Sequence, residues 1–233
     1  MAAAWLATAL AAARGGDHPA SPKITHQRFN APLEMHLVRF DRAQTALRVL
    51  DLAPGQTVAE AARSHGALAA VNGGYFKRDQ TPLGLVISEG VERHPIEHAK
   101  ILSGILVVTS RGATLLREPE FKPNRRVREA LQSGPFLVDH GEAVAGLNAA
   151  RRAERTVLLA DRQGVAALLT TAPVTLAGLG QILARPGLFG DLKIDRALNL
   201  DGGSSTALWV AADGFSRPEW KPVRNAVAVT PRL

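Results

Sequence analysis

The chain contains no cysteine. Disulfides, thiolate zinc sites and cysteine nucleophiles are therefore excluded. Aromatic residues are few: seven Phe, three Trp and a single Tyr, 5% of 233 residues. Beyond the N-terminus no stretch is long and apolar enough for a membrane helix. Acidic residues are also in deficit, 21 against 28 Lys and Arg, which leaves a formal net charge of +7 and a sequence pI near 10.5. Such a balance favours anionic partners. The basic residues are scattered, apart from Lys122–Arg128 and Arg151-Arg152, and no nucleic-acid motif accompanies them, so nucleic acid is not expected as a partner.

What the chain does have is 46% hydrophobic residues against 21% charged, the balance of a globular protein able to bury a sizeable core. The alanine-rich run Ala2–Ala13 is too short to span a bilayer. With small residues at Ala11–Ala13 it reads as the apolar region and cleavage site of an export signal, although no Lys or Arg precedes it. Residues Gly15–Pro22 read as a linker. The expected organisation is an N-terminal segment over 1–22 and one domain over 23–233, exported to the periplasm or outside the cell.

Hydrophobic periodicity predicts many strands and two helices. Strands are expected over Leu33–Asp41 and Leu47–Leu52. Thr57 and Glu60 stand three apart, as a capping box requires, and open a helix that Gly66 stops. Thr156–Ala160 and Val165–Thr170 flank Asp161-Arg162-Gln163-Gly164 as a hairpin. A second helix is expected over Thr175–Ala184, before Pro186. Helix and strand do not alternate regularly, which argues for α+β: one domain with a mixed, mostly antiparallel sheet and two or more helices. Helix, strand, Asn and Gly-Gly occur in Thr57–Gly74 and again in Thr175–Gly203, and the two glycine turns are expected to face one cleft.

Four segments place small residues and a polar group at the end of an apolar run. They are Asn72-Gly73-Gly74-Tyr75-Phe76, Ser133-Gly134-Pro135, Arg155-Thr156 and Asp201-Gly202-Gly203-Ser204-Ser205. Together with Gly84–Ser88, Leu198-Asn199-Leu200 and the closing Arg224–Val227, and in this order, they resemble the phosphodiester glycosidase family over most of the chain. The resemblance implies hydrolysis of a sugar linked through its anomeric carbon to a phosphodiester, on a phosphate-containing glycan of the cell envelope or its surroundings.

Within that reading Asp201 is the candidate carboxylate, as nucleophile or general base. Arg155 would hold phosphate oxygens bidentately. The N–H groups of Gly73-Gly74 and Gly202-Gly203 are read as anion nests. Asn72 and Ser204 would orient sugar hydroxyls or phosphate, and Tyr75 or Phe76 would stack on a sugar ring. The remaining motif positions, Ser88, Ser133, Gly134, Thr156 and Ser205, are taken as substrate contacts. Glycosidases usually use two carboxylates. Asp161 and Glu89 are the candidates for the second, although phosphate is a better leaving group than a sugar alkoxide and one carboxylate suffices in principle.

No cofactor or metal is demanded. His94 and His98 have helical spacing for zinc, but Pro95 lies between them and a third ligand is missing. A divalent cation such as calcium or magnesium beside Asp201 would have thin coordination. Two other functions use the same residues: a binding module for anionic glycans without catalysis, and a phosphodiesterase that cleaves P–O rather than C–O.

Overall fold

The structure, a computed structural model, describes residues 24–232. The segment expected to be an export signal and linker, residues 1–22, lies outside the described residues. In chain order the elements are β1 (Ile24–Phe29), β2 (Met35–Phe40), β3 (Thr45–Asp51), α1 (Val58–Ser64), β4 (Ala69–Asn72), β5 (Val86–Ser88), β6 (Val91–His94), β7 (Gly104–Thr109) and β8 (Gly112–Arg117). They continue with β9 (Glu129–Ser133), β10 (Phe136–Asp139), β11 (Glu142–Ala143), β12 (Ala153–Asp161), β13 (Gly164–Val174), α2 (Leu176–Leu183), β14 (Arg196–Asn199), β15 (Leu208–Val210), β16 (Ser216–Arg217) and β17 (Asn225–Pro231).

The expected α+β architecture forms, with the strands divided among three sheets. One has seven strands in the order β1-β2-β13-β12-β14-β10-β11. A second runs β16-β15-β4-β17-β3, and a third β6-β5-β9-β7-β8. Every strand pairing is antiparallel.

The inner faces of the three sheets meet in one core. Leu47, Val49, Val71, Val227 and Val229 come from the second sheet, Leu106, Val108 and Leu131 from the third, and Leu158, Leu168 and Leu198 from the first. Burying each of these side chains contributes on the order of 2 kcal/mol. Each helix covers an outer face. Helix α1 lays Val58, Ala61 and Ala62 against Leu50, Ala70, Ala226 and Ala228. Helix α2 lays Leu179 and Leu183 against Leu37, Leu159 and Leu169. Neither is long enough to cross a membrane, nor is any other described helix.

The local signals operate as physical devices. The Thr57 hydroxyl accepts from Glu60 N at 3.2 Å while Glu60 Oε2 accepts from Thr57 N at 2.9 Å, so two free N–H groups of the α1 start are satisfied. Glu219, far along the chain, accepts from the next one, Val58 N, at 2.9 Å. The β12–β13 hairpin closes at Asp161 and Gly164. Strand β1 is one the sequence pattern did not announce. It is an edge strand whose Thr25, Gln27 and Arg28 are exposed, so no apolar run marks it.

Candidate active site

The four motif segments come together where strands of all three sheets end. Asn72 closes β4, Ser133 closes β9, Asn199 closes β14, and Arg155 lies near the start of β12. The two glycine turns, which the internal echo places on one cleft, are in direct contact: Asp201 N donates to Gly73 O at 3.1 Å. Leu200 N donates to Thr156 O at 2.8 Å and ties the second turn to β12.

Three charged groups meet here. Burial raises the Asp201 carboxyl above its ordinary value; Gly202 N, donating to Oδ1 at 2.8 Å, the Ser205 hydroxyl and the Arg151 charge pull the other way. Asp201 has no ion-pair partner among the described residues. The Arg155 guanidinium is buried, which lowers its pKa, and its donors go to main-chain carbonyls: Nε to Val174 O at 3.1 Å and Nη2 to Arg151 O at 2.9 Å. It too lacks a described carboxylate partner. Arg151, on the exposed rim, acts electrostatically on Asp201, Arg155 and Tyr75 alike. The Tyr75 phenol is raised above its ordinary value, first by burial and then by the Asp201 charge, so it is neutral at neutral pH. Its hydroxyl donates to Gly134 O at 2.6 Å and accepts from Asn199 Nδ2 at 3.0 Å.

A half-buried carboxylate and two arginines without described carboxylate partners thus lie close to the ends of these strands. A sequence model of the family described as phosphodiester glycosidase matches residues 65–230. The chain belongs to this family. Among solved structures, the catalytic domain of zebrafish N-acetylglucosamine-1-phosphodiester alpha-N-acetylglucosaminidase, auto-inhibited by its pro-peptide, superposes with a TM-score of 0.65 at 16% identity, covering 94% of this chain and 86% of that one. A Synechocystis protein described as hypothetical gives 0.61 at 20% identity, over 90% of this chain and 62% of that one. A Burkholderia pseudomallei protein described as exported gives 0.56 at 14% identity, over 86% and 74%. These likenesses show the fold. A search of curated proteins finds no match.

In this member of the family several motif residues build the frame rather than face a ligand. Asn72 is fully buried and its carboxamide is occupied: Nδ2 donates to Asp201 O at 2.8 Å, while Oδ1 accepts from Thr156 Oγ1 at 2.6 Å and Ala207 N at 3.1 Å. Asn72 and Thr156 therefore position the Asp201 turn and offer nothing to a sugar. Gly73-Gly74 is not an anion nest. Both N–H groups are used by Asn225, Gly73 N on its main-chain oxygen and Gly74 N on Oδ1, each at 2.8 Å. Glycine is needed at 73 because a Cβ there would lie 2.0 Å from Asn225 Oδ1.

Other expectations are displaced too. Phe76 packs against the cluster under α1 instead of standing free to stack, and the Tyr75 hydroxyl is committed to Gly134. Ser133 and Gly134 are buried; Gly134 offers its carbonyl to Tyr75 and Asn199. Ser88 lies at the Glu129 end of the third sheet, away from Ser133, and its hydroxyl donates to Val49 O at 2.7 Å. Neither proposed second carboxylate is present. Asp161 pairs with Arg42 at 2.5 Å at the far end of β12, and Glu89 pairs with Arg48.

The Asp201 turn does meet solvent. Residues Gly203–Ser205 form one turn of 3₁₀ helix, and Gly202, Gly203 and Ser204 are part-exposed. Gly202 crosses the β12 backbone so closely that a Cβ would lie 2.5 Å from Glu154 O. His94 ends a strand and its Nδ1 lies 3.0 Å from Gly84 O, whereas His98 pairs with Glu118 at 2.9 Å, so the two share no helix face. No cluster of three or more His, Asp or Glu suited to a metal occurs among the described residues. Arg151 and Asn199 are the site residues that the sequence reading did not select. The basic pair Arg151-Arg152, four residues before Arg155, was the available signal for the first; the second stood inside the matched motif.

Proposed function

We propose that this phosphodiester glycosidase hydrolyses a sugar 1-phosphodiester at the anomeric carbon. The observation that supports the reading best is the meeting of Asp201, whose proton affinity is raised, with Arg155 and Arg151, whose charges no described carboxylate neutralises. Arg155 keeps Nη1 for a phosphate oxygen, and Arg151 adds a second positive charge at the rim. Phosphate held there sets the anomeric carbon against Asp201. The C1–O bond breaks, the phosphomonoester leaves with the electron pair, and water supplies the new hydroxyl. Asp201 serves this step as nucleophile or as base to the water. Because the leaving oxygen belongs to a phosphate, it needs little protonation, which fits a site with one carboxylate.

The substrate read here is a phosphate-containing glycan met outside the cytoplasm, a reading supported by the net charge of +7 and by the apolar run at the N-terminus. The deciding experiment is hydrolysis of a panel of sugar 1-phosphodiesters in oxygen-18 water, by the wild type and by Asp201→Asn. The label is expected in the sugar and turnover is expected to vanish in the variant. Label in phosphate would show P–O cleavage instead. Binding of anionic glycans with no turnover on any substrate would mark a non-catalytic binding module.

A further inference from the structure

Three large apolar side chains stand exposed among the described residues: Trp220 at 84%, Val91 at 49% and Ile101 at 46%. Two of them attach directly to the site. Trp220 N donates to Ser204 O at 2.8 Å, in the turn that carries Asp201, so the main chain that bears the indole lies against that turn. Ile101 lies on Gly134, whose added Cβ would be 2.3 Å from Ile101 O, and Gly134 carries the Tyr75 hydroxyl.

The exposure of Trp220 does not come from a loose loop. Pro218 and Pro222 flank it and restrict the backbone. Arg217 pairs with Glu154, beside Arg155 in the chain. Glu219 accepts from Val58 N at 2.9 Å, and Lys221 N joins Trp220 N on Ser204 O at 3.2 Å. Val223 is buried and Arg224 pairs with Asp51 at 2.9 Å. A segment anchored at every second residue holds an indole out into water. An indole held out this way presents a flat apolar face with a polar N–H edge, a surface that the apolar face of a pyranose ring fits.

We propose that Trp220 is a substrate-binding residue, the platform on which a sugar ring of the glycosyl phosphodiester stacks while its phosphate meets Arg155 and Arg151. This rests on the function proposed above. Trp220 contributes affinity and sugar preference; it takes no part in bond cleavage. Phe76 packs against the α1 cluster and the Tyr75 hydroxyl is bonded to Gly134, whereas the Trp220 side chain is exposed.

The test joins kinetics to tryptophan emission. Trp220→Ala is expected to raise KM about tenfold, the effect of a lost contact of moderate strength, with kcat and the unfolding temperature unchanged. Trp220→Phe is expected to recover part of the loss. Titration with the methyl ester of a hexose 1-phosphate is expected to shift the emission of the wild type and of Asp201→Asn to the blue, and dimethyl phosphate is expected to leave it unmoved. The Trp220→Ala protein is expected to show no shift. Hydrolysis with an unchanged KM in Trp220→Ala overturns the platform and leaves the enzyme standing. A sugar-dependent shift without hydrolysis supports the platform and overturns the enzyme. Neither shift nor hydrolysis overturns both.

Discussion

The side-chain amide of Asn72 donates to the main-chain carbonyl of Asp201 at 2.8 Å, joining two turns 129 positions apart in the chain. The same carboxamide receives the hydroxyl of Thr156 and the N–H of Ala207. The Asp201 turn is thus placed by a buried amide whose donors and acceptor are used within the protein.

Truncating that amide strands three polar groups. Asn72→Ala is expected to destabilise the protein by about 3 kcal/mol, since each unsatisfied buried partner costs on the order of 1–3 kcal/mol and relaxation recovers part of the loss. Thr156→Val removes one partner and is expected to cost about 1 kcal/mol. Urea unfolding of both variants and of the double variant checks this: the double is expected to cost less than the sum, because the hydroxyl and the amide serve each other.

Asp201→Asn is expected to lower kcat by 100-fold or more, the scale of a lost acid–base or nucleophilic group. Its stability follows from linkage. Burial raises the Asp201 pKa above the ordinary 3.8. Between 3.8 and the raised value the native state therefore binds more protons than the unfolded state, and the stability this gives at low pH is lost as pH rises through that window. Asp201→Asn, carrying no charge, is expected to melt higher than the wild type at pH 7, with the gap closing below pH 3.8. The acid limb of kcat/KM in the wild type is expected to lie above pH 3.8. A limb at or below that value removes Asp201 as the ionised group.

Arg155→Lys keeps the charge and loses the fork. An ammonium on that stem is unable to bond Val174 O, Arg151 O and a phosphate oxygen together. KM for a sugar 1-phosphodiester is expected to rise at least tenfold, and steady-state kinetics at constant ionic strength measures it. An unchanged KM places the phosphate elsewhere.

A separate titration governs the β1 edge. His36 Nδ1 lies 3.0 Å from His26 Nε2, and His26 Nδ1 lies 2.6 Å from Asp213 Oδ2. Burial lowers the His36 pKa below 6.5; His26, Arg28 and Arg217 add to this, and Glu34 opposes it. Below pH 6.5 the unfolded state takes up the proton first, so folding stability is expected to fall as pH drops from 6.5 towards the lowered native value. Urea midpoints across pH 5–7.5 measure the slope, and His36→Gln is expected to flatten it.

Much of the local structure was legible. Thr57 and Glu60 announced α1, and Asp161–Gly164 announced a hairpin, because both devices are complete within four residues. The meeting of Gly73 and Asp201 was legible from the repeated helix–strand–Asn–Gly-Gly pattern. Long-range completion was not. Gly73 and Gly74 looked like free donors because their acceptor, Asn225, lies at the other end of the chain. Asp161 and Glu89 looked like available carboxylates because Arg42 and Arg48 pair with them only once strands are in register. The three-way division of the sheets was hidden for the same reason: β4 pairs with β15 and β17, which follow it by more than a hundred residues. Arg151 stood out only as half of a basic pair, since its electrostatic action on Asp201 arises once the two distant segments meet.

The anchored segment from Arg217 to Arg224 draws its hold from main-chain atoms, a helix start and two ion pairs, and none of these involves the indole or the Lys221 ammonium. Those two side chains are therefore free to be exchanged in evolution at little folding cost, while Asn72, Thr156 and Asn225 are not. Relatives built on this frame are expected to diverge in the glycans they accept while the chemistry stays the same.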